Sequence, residues 1–221
     1  MFDIHSLTKT YTRSRQNVNA LKDVSLTIDK GSFVAVTGPS GSGKTTLLLS
    51  LGGLIKPSAG RVKYGDQDLY SLSPNDLAAF RNRTIGFVLQ TFNLVPYLTA
   101  VENVMLPMLP SGQNGTDARQ RATELLDVLG LADRTDFLPR ELSVGQQQRV
   151  AIARSLANGP EVILADEPTG NLDPSLANEI MSVLEGLQKS QGKTVILVTH
   201  SPEAAARAQT VLRLDDGRLI G

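Results

Sequence analysis

The chain has 221 residues, enough for one sizeable core and too few for two ordinary full-size domains. Its 22 basic and 22 acidic side chains cancel, which leaves no electrostatic footprint for nucleic acid or an anionic membrane surface, and no nucleic-acid partner is expected. Cysteine is absent, so disulfide scaffolds and thiolate metal sites are excluded and a reducing compartment is permitted.

In chain order, the opening MFDIHSLTKTY lacks a basic segment followed by an apolar core, so a secretory signal is not expected. The alternating SLTIDKGSF and, further on, GRVKYGDQDL are polar and turn-rich, and predict a small antiparallel sheet on one side. FVAVTG from Phe33 reads as a strand buried on both faces, without period-2 alternation. IGFVLQ from Ile85, VILADE from Val162 and TVILVTH from Thr194 read the same way. Helical patterns separate these runs, which predicts an α/β fold with a mainly parallel sheet. The apolar run LLLSLGGLI carries two adjacent glycines and has about half of the roughly 18 residues a spanning helix needs, so the reading is of a soluble protein. From about 91 to 159 the texture changes. NGTDARQRATELLDVLGL puts Ala118, Ala122, Leu125, Leu126 and Leu129 on one helical face, and the region reads as an α-helical lobe inserted into a core formed by about 1–90 and 160–221.

GPSGSGKT, residues 38–45, matches G-x-x-x-x-G-K-[ST] between a buried strand and the helical run TTLLLSL, which is the context this phosphate loop requires. Gly38, Gly41 and Gly43 let backbone N–H groups turn inward toward phosphate oxygens, and Ser40, Ser42 and Thr46 belong to the same cradle. Lys44 supplies a compact charge for the β- and γ-phosphates, and Thr45 offers a hydroxyl to Mg²⁺. The helix N-terminus adds partial positive charge. At the end of VILADE, Asp166 suits Mg²⁺ and Glu167 suits a general base acting on water. His200 and Gln90 end two further strands predicted to reach the same sheet edge. His200 can hydrogen-bond the γ-phosphate or the attacking water, and Gln90 can offer its amide oxygen to Mg²⁺ or water. LSVGQQQR, residues 142–149, reads as a helix start with a capping box from Ser143 to Gln146.

The ordered set GPSGSGKT, Gln90, LSVGQQQR, VILADEP, NLD and His200 resembles the ATP-binding subunit of an ABC transporter over essentially the whole chain. The resemblance implies ATP and Mg²⁺ as ligands, ATP hydrolysis, and an ATP-dependent head-to-tail dimer with a second copy of the chain. In that arrangement Ser143 and the N–H of Gly145 would reach the γ-phosphate held by the partner, with Gln146 lining the same surface. Val144 stands where the commonest form of the motif has a glycine, so its backbone must be open to an L-residue. Tyr11 stands where the family stacks an aromatic on adenine, and Asp173 resembles the loop that crosses the dimer interface. TFNLVPYLTAVENV resembles the region that receives an integral membrane permease, which would leave Phe92, Leu94, Val95 and Tyr97 partly exposed. QTFNLVPYLTAVENVMLP and DEPTGNLD look most like the branch of lipoprotein-releasing, macrolide-exporting and cell-division ATPases, whose permeases carry a large extracytoplasmic domain. That places the chain in the cytoplasm, peripheral on the membrane through the permease. The alternatives are a soluble ABC ATPase acting on nucleic acid or the ribosome, which the neutral charge and missing coiled coils disfavour, and an ordinary phosphate-loop kinase.

Overall fold

The computed structural model describes residues 1–13, 16–112 and 114–220. Strands β1 (Phe2–Arg13), β2 (Gln16–Ile28), β4 (Ala59–Tyr64) and β5 (Gln67–Asp68) form an antiparallel sheet in the order β2-β1-β4-β5. A six-stranded sheet has the order β10-β9-β3-β8-β7-β6, from β3 (Phe33–Thr37), β6 (Ile85–Val88), β7 (Val162–Asp166), β8 (Thr194–Val198), β9 (Thr210–Asp215) and β10 (Arg218–Ile220). All its pairings are parallel except β9 with β10. Helices α1 (Lys44–Leu51), α2 (Pro74–Thr84), α3 (Ala100–Met105), α4 (Gly115–Val128), α5 (Val144–Leu156), α6 (Pro174–Gln191) and α7 (Pro202–Ala205) cover it. This is the expected mixed architecture of a parallel core, a small antiparallel sheet and helices.

The central strands separate two cores by their period of two. Phe33, Ile163, Ala165, Val195 and Leu197 face a core shared with α3, α4, α5 and α6. Val34, Val36, Val162, Leu164, Ile196 and Val198 face one shared with α1 and the antiparallel sheet. Burial on both faces explains why these strands are continuous apolar runs. The strands ending near Gln90 and His200 stop earlier than expected. β6 ends at Val88, paired with Ala165, and β8 at Val198, paired with Asp166. Gln90 and His200 sit two residues beyond, exposed in bends where the chain leaves the sheet.

The helical region follows its apolar stripe: Ala118, Ala122 and Leu126 are fully buried, and Leu125 and Leu129 nearly so. Asn103 on α3 fixes the segment that leads into it. Fully buried, it accepts from Val95 N–H at 2.7 Å and donates to the carbonyls of Val95, Leu98 and Thr99. Asn103→Leu keeps the volume and orphans these groups, so we expect a loss of about 2–3 kcal/mol of unfolding free energy, read as a lower urea midpoint at unchanged slope.

Candidate functional site

Parallel register brings several strand ends to one edge. β3 runs into residues 38–43, β7 ends at Asp166, and β8 and β6 lead to His200 and Gln90. A cleft of about 560 Å³ opens there, within the usual range for small-molecule sites. Ser40, Gly41, Gly43, Lys44, Thr45, Thr46, Gln90, Asp166, Glu167 and His200 line it. Ala20, Gly170 and Val198 line it as well, and sequence reasoning missed all three. Gly170 had a signal, since it lies three residues after Glu167 and its N–H donates to the Glu167 carbonyl in a tight turn. Ala20 and Val198 are apolar, and nothing in sequence separates them from core.

The loop around α1 is built to leave amides free. Its N-cap is Gly43 at φ 102°, with no side-chain cap and no acidic residue in the first turn. By contrast α2, α3, α4, α5 and α6 each carry a side-chain cap from Ser73, Thr99, Asn114, Ser143 and Asp173. Orphan N–H groups with a helix dipole behind them favour an anion. Backbone carbonyls hold the loop from behind. A Cβ at Gly38 would lie 1.9 Å from the Leu214 carbonyl oxygen, and one at Gly43 would lie 2.1 Å from that of Ala20. Gly38 and the buried Ser42 thus support the cradle without lining the cleft, and the Ser42 hydroxyl has no hydrogen-bond partner. Lys44 Nζ donates to the carbonyls of Gly38 and Pro39, at 2.9 and 2.8 Å, and so curls the loop over its own ammonium.

Charge is concentrated here at a desolvation cost. Burial pulls the Lys44 pKa below its ordinary value, against the opposing pull of Glu167 and Asp166. Burial pushes Asp166 up, against a hydrogen bond from Thr45 Oγ1 at 3.2 Å and the charges of Lys44 and His200. Glu167 has left-handed backbone, φ 47°, and its N–H donates to the Val198 carbonyl. One carboxylate oxygen accepts from His200 N–H at 3.2 Å. The other is buried without a hydrogen-bond partner, with His200 Nε2 3.3 Å away. Among the described residues no group of three or more His, Cys, Asp or Glu side chains is arranged to hold a metal ion by itself. Protein donors at Thr45 and Asp166 fit a cation that keeps waters and phosphate oxygens in its shell, as Mg²⁺ does.

The remaining expected residues lie apart from this cleft. Ser143, Val144 and Gln146 start α5. Ser143 Oγ accepts from Gln146 N–H, and Gln146 Oε1 accepts from Ser143 N–H, which closes the capping box. Val144 is the first helical residue and has no left-handed backbone, so valine is unstrained there. Gly145 is buried, and a Cβ on it would lie 2.2 Å from the Leu176 side chain of α6, which would have to shift to admit one. Asp173 caps α6, accepting from the N–H groups of Ser175 and Leu176. Tyr11 pairs with Val18 across the β1–β2 hairpin and is 39% exposed. Tyr97 is 79% exposed, whereas Phe92, Leu94 and Val95 are half-buried.

A family model described as ABC transporter matches residues 21–170. The chain belongs to the ABC transporter family. It is 46% identical over 219 residues to a macrolide export ATP-binding/permease protein, MacB, of Syntrophobacter fumaroxidans, covering 98% of this chain and 31% of that protein. It thus spans about a third of the macrolide-export relatives it matches. The lipoprotein-releasing system ATP-binding protein LolD of Geobacter metallireducens is 44% identical, covering 100% of this chain and 98% of that one. The ATP-binding cassette MJ0796, solved as a dimer in a post-hydrolysis state with ADP and Pi, superposes with a TM-score of 0.93 at 43% identity, over 100% of this chain and 97% of that one. Macrolide-export and lipoprotein-releasing proteins, two of the three kinds in the branch the sequence resembles, are among these ABC relatives.

Because burial raises the Asp166 pKa, the folded chain favours the protonated form more than the unfolded chain does. The resulting cost is absent below the unfolded carboxylate pKa and fully present above the folded one. Asp166→Asn keeps an acceptor for Thr45. We expect it to raise the melting temperature of the ligand-free protein at pH 7, by a margin that shrinks toward about pH 4, in melts across that range.

Proposed function

We propose that the chain hydrolyses ATP as a head-to-tail pair with a second copy of itself, and that closure of the pair drives a membrane permease. One observation carries this reading. The cleft gathers a phosphate cradle, a cation site and the Glu167 carboxylate, while Ser143 and Gln146, either side of the buried Gly145, start α5 apart from it. A second copy would bring that helix start to the open side of the cleft. The dimeric state of MJ0796 supports the pairing.

In this scheme the loop amides and Lys44 hold the triphosphate. Thr45, Asp166 and Gln90 would hold Mg²⁺, directly or through water, and the bound ion neutralises charge on the phosphate oxygens. Glu167 accepts a proton from water through its carboxylate, which His200 orients by its backbone N–H on one oxygen and by Nε2 3.3 Å from the other. The water oxygen bonds to the γ-phosphorus and the bond to ADP breaks, releasing ADP and phosphate. His200 steadies the γ-phosphate or the water. Tyr11 stacks on adenine. The partner's α5 N-terminus faces the γ-phosphate, and Asp173 lies at the seam.

The permease has a candidate seat. A mainly apolar groove of about 440 Å³ lies between Leu54, Ala78, Ile85, Phe87 and Leu89 on one side and Pro107, Pro110 and Arg154 on the other. It adjoins the 92–97 segment and does not include Phe92, Leu94, Val95 or Tyr97. Arg154 ties the two together by donating to the carbonyls of Phe92 and Asn93. Its size and apolar walls suit a short permease helix. The segment following Gln90 therefore links this groove to the cleft. No helix among the described residues is long and apolar enough to cross a membrane, so on this reading the chain reaches the cytoplasmic face of the membrane through the permease. Kinship with a macrolide export ATP-binding/permease protein and a lipoprotein-releasing system ATP-binding protein supports a permease partner, for which we propose a large extracytoplasmic domain.

Two tests follow. Glu167→Gln keeps the side-chain shape and removes the base, so hydrolysis falls by about 10²–10⁴-fold while ATP binding persists and an ATP-dependent dimer outlives the wild-type one on gel filtration. Full-rate hydrolysis by the variant would remove Glu167 from its role. Ala78 is exposed in the groove, away from the cleft. Ala78→Glu puts a charge into the apolar seat, and we expect loss of co-purification with the permease while hydrolysis by the isolated chain continues. Undiminished co-purification would move the seat elsewhere.

A further inference from the structure

Lys9 precedes Tyr11 by two residues on β1 and has no part in the scheme above. Its ammonium lies 5.0 Å from the centroid of the Tyr11 ring, within cation–π range. The same ammonium donates to the Lys56 carbonyl at 2.8 Å. Lys56 belongs to the connection that follows α1, the helix whose N-terminus forms the phosphate cradle. One cation therefore joins the exit of the phosphate-loop helix to the aromatic ring proposed as the adenine platform.

We propose that Lys9 is a positioning residue for nucleotide binding: it occupies one face of the Tyr11 ring and presents the other to the base. The proposal rests on the reading of Tyr11 as the stacking residue. A tyrosine 39% exposed at a hairpin edge is free to turn about its side-chain torsions, and a base landing on it must first stop that motion. The ammonium lowers this cost beforehand. Its own position is fixed by the Lys56 carbonyl, in the connection that leaves the phosphate-loop helix. The β1 backbone does not depend on this contact. Ser58 N–H donates to the Thr8 carbonyl at 2.8 Å, and Thr10 N–H donates to Ser58 Oγ at 3.0 Å, which clamps the same connection to β1. Removing the charge at Lys9 therefore leaves the strand in place.

The test titrates ATP and inorganic tripolyphosphate, each with Mg²⁺, by calorimetry into the wild type, Lys9→Met, Lys9→Arg, Tyr11→Ala and the Lys9→Met/Tyr11→Ala double variant. Lys9→Met should weaken ATP about threefold, the size of an exposed cation–π contact, and leave tripolyphosphate binding as it was. Lys9→Arg should restore ATP affinity. The double variant should bind ATP no more weakly than Tyr11→Ala alone, because Lys9 acts only through that ring. Wild-type ATP affinity in Lys9→Met, beside a weakened Tyr11→Ala, overturns the role of Lys9 and leaves the platform standing. Unaltered affinity in Tyr11→Ala overturns the platform and Lys9 with it. Equal weakening of ATP and tripolyphosphate in Lys9→Met also overturns the proposal, since the effect then lies in the phosphate loop.

Discussion

The N-terminus of α1 depends on its amides having no side-chain acceptor. Most helices in the chain meet that need with a serine, threonine, asparagine or aspartate at the first position. α1 begins instead at Gly43, in left-handed backbone, with the Ala20 carbonyl pressed so close that no Cβ fits. The loop is thus held open by backbone and not by side chains. Leu214 blocks any Cβ at Gly38, and the β9–β10 hairpin binds the loop through Gly217 N–H to the Ser42 carbonyl. Uncapped amides at a helix N-terminus favour an anion such as a phosphate group.

Parallel pairing supplies the rest of the chemistry. Strands that run the same way end at the same edge, so residues far apart in sequence meet there: Lys44, Gln90, Asp166, Glu167 and His200. Burial disfavours the charged forms of Lys44 and Asp166. Such a site is less stable alone than with an anion and a cation bound, which favours ligand over water. The α5 N-terminus differs in kind. Its capping box satisfies two donors internally, and the surface it shows to solvent can still face an anion from a neighbour.

What the sequence made legible was contiguous or periodic. The phosphate loop, the carboxylate pair, the Ser143–Gln146 box and the α4 stripe each lie within one local stretch, and each sits where its pattern predicts. Other features arise between stretches. β1 escaped notice because register shifts between Ile4 and Leu7 and between Lys9 and Thr10, with Ser6 at φ 46°, interrupt its alternation. The β9–β10 hairpin did carry a signal, Asp216-Gly217 with both residues at positive φ, the favoured two-residue turn. Its service as the back wall of the phosphate loop is a contact across the whole chain, which no local pattern encodes. At Gly145 the resemblance implies a glycine facing a partner, and the Leu176 side chain packs against the same position within the chain.

In the proposed pairing the cleft of one chain meets the α5 N-terminus of another. The lack of native cysteine makes this directly measurable. Val144, exposed at the start of α5, and Val18, exposed on the hairpin beside the phosphate loop, are each replaced by a single cysteine in separate chains and labelled with donor or acceptor dye. With ATP in a hydrolysis-blocked background, energy transfer between a chain labelled at 144 and one labelled at 18 should exceed that of either like-labelled pair, and should vanish without nucleotide. Strongest transfer between two chains both labelled at 144, or none with ATP present, would contradict head-to-tail pairing.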